Sequence, residues 1–241
     1  MSKEKQSKNY QTTWGERMSF GVYGIGMNIF FVLIGSFLQQ YYLVEAAVPA
    51  GIVAAVFLVV KIWDAINDPM FGVIVDKSRM KAGKYVPWMR VASVFLPVVA
   101  TALFFVPLEV SVTGKAIFLL FGYMLYDVAS TMTEVPYFAL TTAMTDNPTE
   151  RSQIISTSKL VSTIPAFVVL FIPSMYQSIG WKPTVAIFSA FALLTMLPGS
   201  FKFKERYRVQ EDKPPKVKEL LAYVRKNKYL LIFFSSAIVY G

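Results

Sequence analysis

More than half of the 241 residues are hydrophobic (55%) and only 16% are charged, which excludes an ordinary soluble domain and points to several apolar membrane spans. The net charge is +9, but 20 of the 24 Lys and Arg residues fall on one side of the membrane in the topology below, so the basicity reports orientation rather than a nucleic-acid partner. The chain has no Cys and no His, which excludes a disulfide framework, thiolate or imidazole metal sites, and a histidine proton relay.

Residues 1–8 are polar and basic, and Tyr10 and Trp14 lead into an apolar run that continues past Leu38. That run is too long for a signal-peptide core and reads as a retained first span. Six spans are expected in all, at about 18–43, 49–75, 87–107, 115–144, 153–178 and 183–201. Each is near or above the ~20 residues that a helix needs to cross the hydrocarbon core. The second and fourth are long enough to require tilt or projection beyond the bilayer. Pro49, Pro87 and Pro183 open spans, while Trp14, Trp88 and Trp181 sit where an interfacial aromatic belt belongs. The connectors 44–48, 108–114 and 179–182 are short and nearly neutral, whereas 76–86, 145–152 and 202–228 are polar. The N-terminus and the polar connectors are therefore expected on the cytoplasmic side.

The second span carries two acids. Residues 61–69 read Lys-Ile-Trp-Asp-Ala-Ile-Asn-Asp-Pro, and the four-residue spacing of Asp64 and Asp68 stacks their carboxylates on one helix face. A carboxylate at membrane depth costs ~2.5–3.5 kcal/mol on insertion scales, so such groups usually face a watery path or a partner charge. Beyond them come Gly72 and the stretch Asp76-Lys77-Ser78-Arg79, followed by Lys81 and Lys84. Gly72 would admit a neighbouring helix closely. Asp76, Lys77 and Arg79 would form a latch at the inner mouth, although a basic anchoring loop would have much the same pattern.

In the fourth span Thr131 and Glu134 lie 16 and 19 residues below Lys115, while Asp64 and Asp68 lie 15 and 19 residues below Pro49. At ~1.5 Å per residue all four fall in the lower-middle of the bilayer. Both helices run in the same direction, so these faces can meet, and oxygen-only ligands of this kind suit Na⁺, Li⁺ or shared protons. Asp64, Asp68 and Glu134 supply three negative charges against Lys61 and Lys159, which leaves one for a cation or a proton to neutralise. The competing reading pairs Lys61 with Asp64 and makes the remaining acids protonated packing groups. Pro69 and Pro136 each free a carbonyl four residues earlier, at Ala65 and Met132, for a cation or simply bend the helix. Asp127, two turns above Glu134 on nearly the same face, would line a substrate path or pair with another cation.

Residues 202–228 hold ten Lys or Arg and Pro214-Pro215, with Val217, Leu220, Leu221 and Val224 at amphipathic-helix spacing. Residues 229–241 begin a new apolar run of 13 residues, ~20 Å as a helix, which is either a truncated seventh span or no span.

The string at 61–69, the Gly72–Asp76 loop with Gly83-Lys84 and Pro87-Trp88, and Thr131-Met-Thr-Glu134-Val-Pro136-Tyr137 together resemble the glycoside–pentoside–hexuronide:cation symporters of the major facilitator superfamily, melibiose permeases included. The resemblance covers the whole chain and corresponds to the first half of such a protein. It implies an all-α twelve-helix fold in which two six-helix bundles rock around a central sugar site. By that resemblance Asp64, Asp68 and Glu134, with Asn67 and Thr131, would hold Na⁺, Li⁺ or H⁺, with no other cofactor. Asn28, Phe138 and Lys159 stand where sugar contacts belong, with Tyr137 and Asp127 beside them. Asn28 replaces an aspartate there and Lys159 an arginine, so a galactoside preference does not carry over.

The division expected is a six-helix bundle at 1–201, a cytoplasmic middle loop at 202–228 and the start of helix seven at 229–241. The function expected is cation-coupled symport of a sugar or glycoside across the cytoplasmic membrane, with a further six-helix half as partner. The alternative is a membrane fragment without transport of its own that acts as a binding subunit or one piece of a two-piece assembly. An enzyme is not expected, because no His or Cys and no Ser beside an evident base supplies the catalytic inventory.

Overall fold

A computed structural model describes residues 10–207 except Arg79 and Ala82, together with Asn227. Met1–Arg208 form one compact unit and Val209–Gly241 a second. The amphipathic helix expected at Val217–Val224, the run at 229–241 and the latch residue Arg79 lie outside the described residues.

Among the described residues six helices are long and apolar enough to cross a membrane: α1 (Trp14–Val44), α2 (Ala50–Lys77), α3 (Val86–Leu103), α4 (Val112–Met144), α5 (Pro148–Ile179) and α6 (Trp181–Ser200). Their number and order are as expected, and their ends follow from local chemistry. Thr13 caps α1 through a reciprocal pair, its hydroxyl accepting from the Glu16 N–H while Glu16 accepts from the Thr13 N–H. The Asn147 side chain accepts from the N–H groups of Thr149 and Glu150, and Pro148 follows at the first helical position, so α5 begins five residues earlier than expected.

α3 stops at Leu103 instead of reaching residue 107. Two tyrosines of α1 satisfy its last carbonyls: Tyr42 donates to Leu103 O at 2.9 Å and Tyr41 to Phe104 O at 2.8 Å. Capped in this way the helix end can be buried, and Val106, next to Pro107, is free to leave the helical region. α5 is broken where one continuous span was expected. Its regular pieces are Pro148–Val161, Ile164–Val168 and Ile172–Ile179, with a 3₁₀ turn at Val169–Phe171. Pro165 and Pro173 remove the donors that would bond Val161 and Val169, and the helix loosens just ahead of each. α2 and α4 instead run unbroken through Pro69 and Pro136.

α1 is the central helix, packed on α6 and α5, while α3 lies between α4 and α6 and α2 packs on α4. Glycines permit the approach: a Cβ at Gly24 would sit 2.6 Å from the hydroxyls of Ser162 and Tyr137, and one at Gly26 would sit 2.5 Å from Thr195 Oγ1. At the end of the bundle beyond Val44, Trp181 is buried and stacks on Tyr176 at 4.0 Å and on Phe104 at 5.7 Å. It is a core residue rather than the belt residue expected. α2 and α5 keep wide apolar faces exposed, among them Leu58, Ile62 and Ile66 on α2 and Phe167, Leu170 and Phe171 on α5.

Candidate functional site

α2 and α4 meet through a chain of polar side chains. Asn67, buried on α2, donates to Thr131 Oγ1 at 2.8 Å and to Asp127 Oδ2 at 3.1 Å. Thr131 in turn donates to Asp68 Oδ1 at 2.8 Å. Asp64 and Asp68 of α2 are near enough to Asp127 and Glu134 of α4 for their charges to interact. Asn67 thus spends both amide protons on α4 and holds its acceptors in one orientation. In a medium of low dielectric a satisfied network of this kind rigidifies a helix pair more than its separate bonds suggest.

The arrangement departs from expectation in four places. Asp127 belongs to this polar chain through Asn67 and Asp64, and it is not among the residues lining the cavity described below. Among the described residues no three acids assemble as a group that could hold a metal ion. Asp64, Asp68 and Glu134 are thus not gathered as a metal-holding group, and Glu134 also lines the cavity described below. Lys61 is exposed and makes no ion pair with Asp64 among the described residues, which removes the pairing alternative. Finally, a Cβ at Gly72 would meet nothing within 4 Å, so no described helix makes the close approach expected there. The reason is orientation: the flanking Val73 and Ile74 are exposed.

Beside the polar chain lies a cavity of about 360 Å³, walled by α1, α4 and α5. Asn28, Tyr137, Phe138 and Lys159, four of the substrate contacts expected, line it together with Glu134. Its size falls within the range of small-molecule sites, which run ~300–1,000 Å³. Asn28 donates to Gly24 O at 2.8 Å, which leaves its side-chain oxygen as an acceptor. The Tyr137 hydroxyl bonds Phe20 O at 3.1 Å and the Ser158 hydroxyl, and its ring stacks on Phe20 at 4.1 Å. Sequence reasoning did not single out Phe20, Met27, Phe31, Thr141, Ile155, Ser158 or Ser162, which complete the wall. Helical spacing held the signal for some of them: Phe31 is three residues from Asn28, Thr141 three from Phe138, and Ser162 three from Lys159.

At the opposite end of the bundle Asp76 pairs with Lys84 at 3.1 Å, across its own loop, and Lys77 is exposed. A stronger set of contacts was not foreseen. Glu205 accepts from the backbone N–H groups of Lys84, Tyr85 and Val86 at 2.7–2.8 Å, which caps the start of α3. Arg206 donates to both carboxylate oxygens of Glu16 at 2.8 Å. Buried Glu150 accepts from the backbone of Gln11 and Thr12, from the hydroxyls of Thr12 and Thr145, and from Arg17 at 3.2 Å.

Residues 19–240 match the family described as MFS/sugar transport protein. The chain is 32% identical over 228 residues to the uncharacterized symporter YjmB of Bacillus subtilis, covering 90% of this chain and 49% of that protein. It is 27% identical over 199 residues to the inner membrane symporter YicJ of Escherichia coli, covering 79% of this chain and 43% of that protein. With the isoprimeverose transporter of Lactiplantibacillus pentosus it shares 24% identity over 237 residues, which is 93% of this chain and 49% of that protein. The chain spans about half the length of the curated relatives it matches.

Proposed function

This chain belongs to the MFS/sugar transport protein family, a family of membrane transporters and not of enzymes, and on that premise we propose that it is half of a cation-coupled sugar or glycoside symporter. In this reading the chain supplies the N-terminal six-helix bundle, with its N-terminus in the cytoplasm, and a further six helices complete the substrate path. Residues 202–228 serve as the loop joining the halves and 229–241 as the start of the seventh helix.

The observation that carries the reading is the hydrogen-bonded chain Asp68–Thr131–Asn67–Asp127 between α2 and α4. It lies beside the cavity whose wall includes Glu134. In this reading the coupling cation, Na⁺ or H⁺, with Li⁺ as a sodium surrogate, is taken up as cargo at Asp64 and Asp68 of α2, the pair that Asn67 and Thr131 tie to α4. The Thr131 hydroxyl and the Asn67 carbonyl oxygen add neutral ligands of the hard type that such ions prefer. Glu134 carries the charge of this site to the cavity wall. Neutralising the acids removes a charge that disfavours movement through the bilayer, so cation and sugar travel together.

In the full gene product, Asp68→Asn is expected to abolish cation-stimulated uptake while membrane abundance is unchanged. It keeps the size of the side chain and deletes the charge that Thr131 bonds. Sodium- or proton-stimulated uptake at the wild-type rate in that variant would remove Asp68 from the role.

A further inference from the structure

Where α3 begins and α6 ends, three cations sit together without a counter-charge from the chain. α3 packs on α6, and the Arg90 guanidinium lies over the Phe201 ring at 4.7 Å. That stacking leaves the edge of the guanidinium unused. Arg90 Nε is buried without a partner, and among the described residues the side chain makes neither a hydrogen bond nor an ion pair. Phe203 is buried against Phe20 and Tyr23, and Glu205 turns inward to the first N–H groups of α3. The residues that alternate with them, Lys202 and Lys204, are exposed, and neither makes an ion pair among the described residues. By contrast Arg17, Lys84 and Arg206 each pair with a carboxylate of the bundle.

The surface that leads away from these cations is apolar on both helices. On α3, Val94 and Val98 lie four and eight residues beyond Arg90, on the same face, and both are exposed. On α6, Ile187 and Leu194 precede Phe201 at seven-residue steps, which also share a face, and all three are exposed. From Phe201 to Ile187 that stripe runs ~21 Å, more than the ~15 Å of hydrocarbon in one leaflet. A free inorganic anion gains nothing from such a stripe, whereas an acyl chain lies along it. A guanidinium stacked by its face keeps its edge for bidentate contact with a phosphate, and the two ammonium groups add charge beside it. We propose that the α3–α6 seam binds an anionic glycerophospholipid of the adjoining leaflet, its phosphate held by Arg90, Lys202 and Lys204 and its acyl chains laid on the two apolar stripes. The proposal needs only the membrane-spanning helices and is independent of the sugar-transport reading.

The test uses the purified full gene product in neutral detergent at low ionic strength. Binding of dioleoyl phosphatidylglycerol and of dioleoyl phosphatidylcholine, which carry the same chains and differ in net charge, is read by native mass spectrometry, with inorganic phosphate as competitor. Each basic residue beside an anionic headgroup contributes about fivefold in affinity, so a preference for phosphatidylglycerol of about tenfold or more is expected. Arg90→Gln/Lys202→Gln/Lys204→Gln should reduce that preference below about threefold. Lys182→Gln, at the opposite end of α6, should leave it unchanged. Should the triple variant fail to fold, Lys202→Gln/Lys204→Gln alters only exposed side chains and should still lower the preference about fivefold or more. Phosphate at the concentration of the lipid should not displace it, and displacement marks a free-anion site and overturns the lipid assignment. Equal binding of the two lipids, a preference that survives the loss of Lys202 and Lys204, or an equal fall on Lys182→Gln overturns it as well.

Discussion

At Gly83 the backbone takes φ +118°, and a Cβ there would collide with the Glu205 carboxylate, 2.6 Å from its Cδ. Only glycine holds that conformation without strain and also leaves room for the carboxylate to reach three orphan N–H groups at the start of α3. Glu205→Ala leaves those donors to find water or nothing, and a loss of about 2 kcal/mol is expected, read as a lower midpoint of thermal unfolding in detergent. Gly83→Ala should cost a similar amount by displacing the same carboxylate, and the double variant should cost little more than either one, because both break one interaction. None of this was legible in the sequence, where Glu205 sits in a charge-rich run and nothing marks it as a cap for residues more than a hundred positions earlier. Lys159 was legible, because a lysine within an apolar span is conspicuous wherever it occurs.

Helix packing explains which elements were read well and which were not. α2 and α4 were placed to within a few residues, since long apolar runs bounded by Pro49, Ser111 and polar loops leave little freedom. The breaks in α5 were not read, although Pro165 and Pro173 are visible. α4 runs straight through Pro136, so a proline in a span does not by itself declare a break. The outcome depends on whether neighbours re-satisfy the freed carbonyl. Close packing of α1 against α5 and α6 rests on Gly24 and Gly26. Gly26→Val would drive a side chain into Thr195 and Met196 of α6. The expected loss is about 3 kcal/mol, visible as a lower yield of monodisperse protein and a lower unfolding midpoint, with Gly35→Val as the control. Nothing lies within 4 Å of a Cβ at residue 35. An unchanged midpoint for Gly26→Val would mean that α1 and α6 are not held at this separation.

For the whole molecule the proposed symport implies a linkage, which must act in both directions. If the cation raises the affinity for the sugar by some factor, the sugar raises the affinity for the cation by the same factor. Titrations of each ligand at saturating and zero levels of the other, on the full gene product, should give equal ratios, and unequal equilibrium ratios would reject a two-ligand binding cycle. Composition and span length alone determined that the described residues form helices, six of them long and apolar enough to cross a membrane, because the cost of unsatisfied backbone in lipid leaves few other solutions. The acids and the lysine could be named from the same text, since charge inside an apolar run carries a free-energy cost wherever the run folds. Which of these groups share a neighbourhood was decided only by tertiary structure. Asp127 joins Asn67 and Asp64, while Glu134 turns to the cavity of Asn28 and Lys159. The two sit seven residues apart on nearly the same face of one helix, so ~10.5 Å of axial rise separates them, and which neighbour lies alongside at each depth is set by how the helices cross and not by spacing along any one of them.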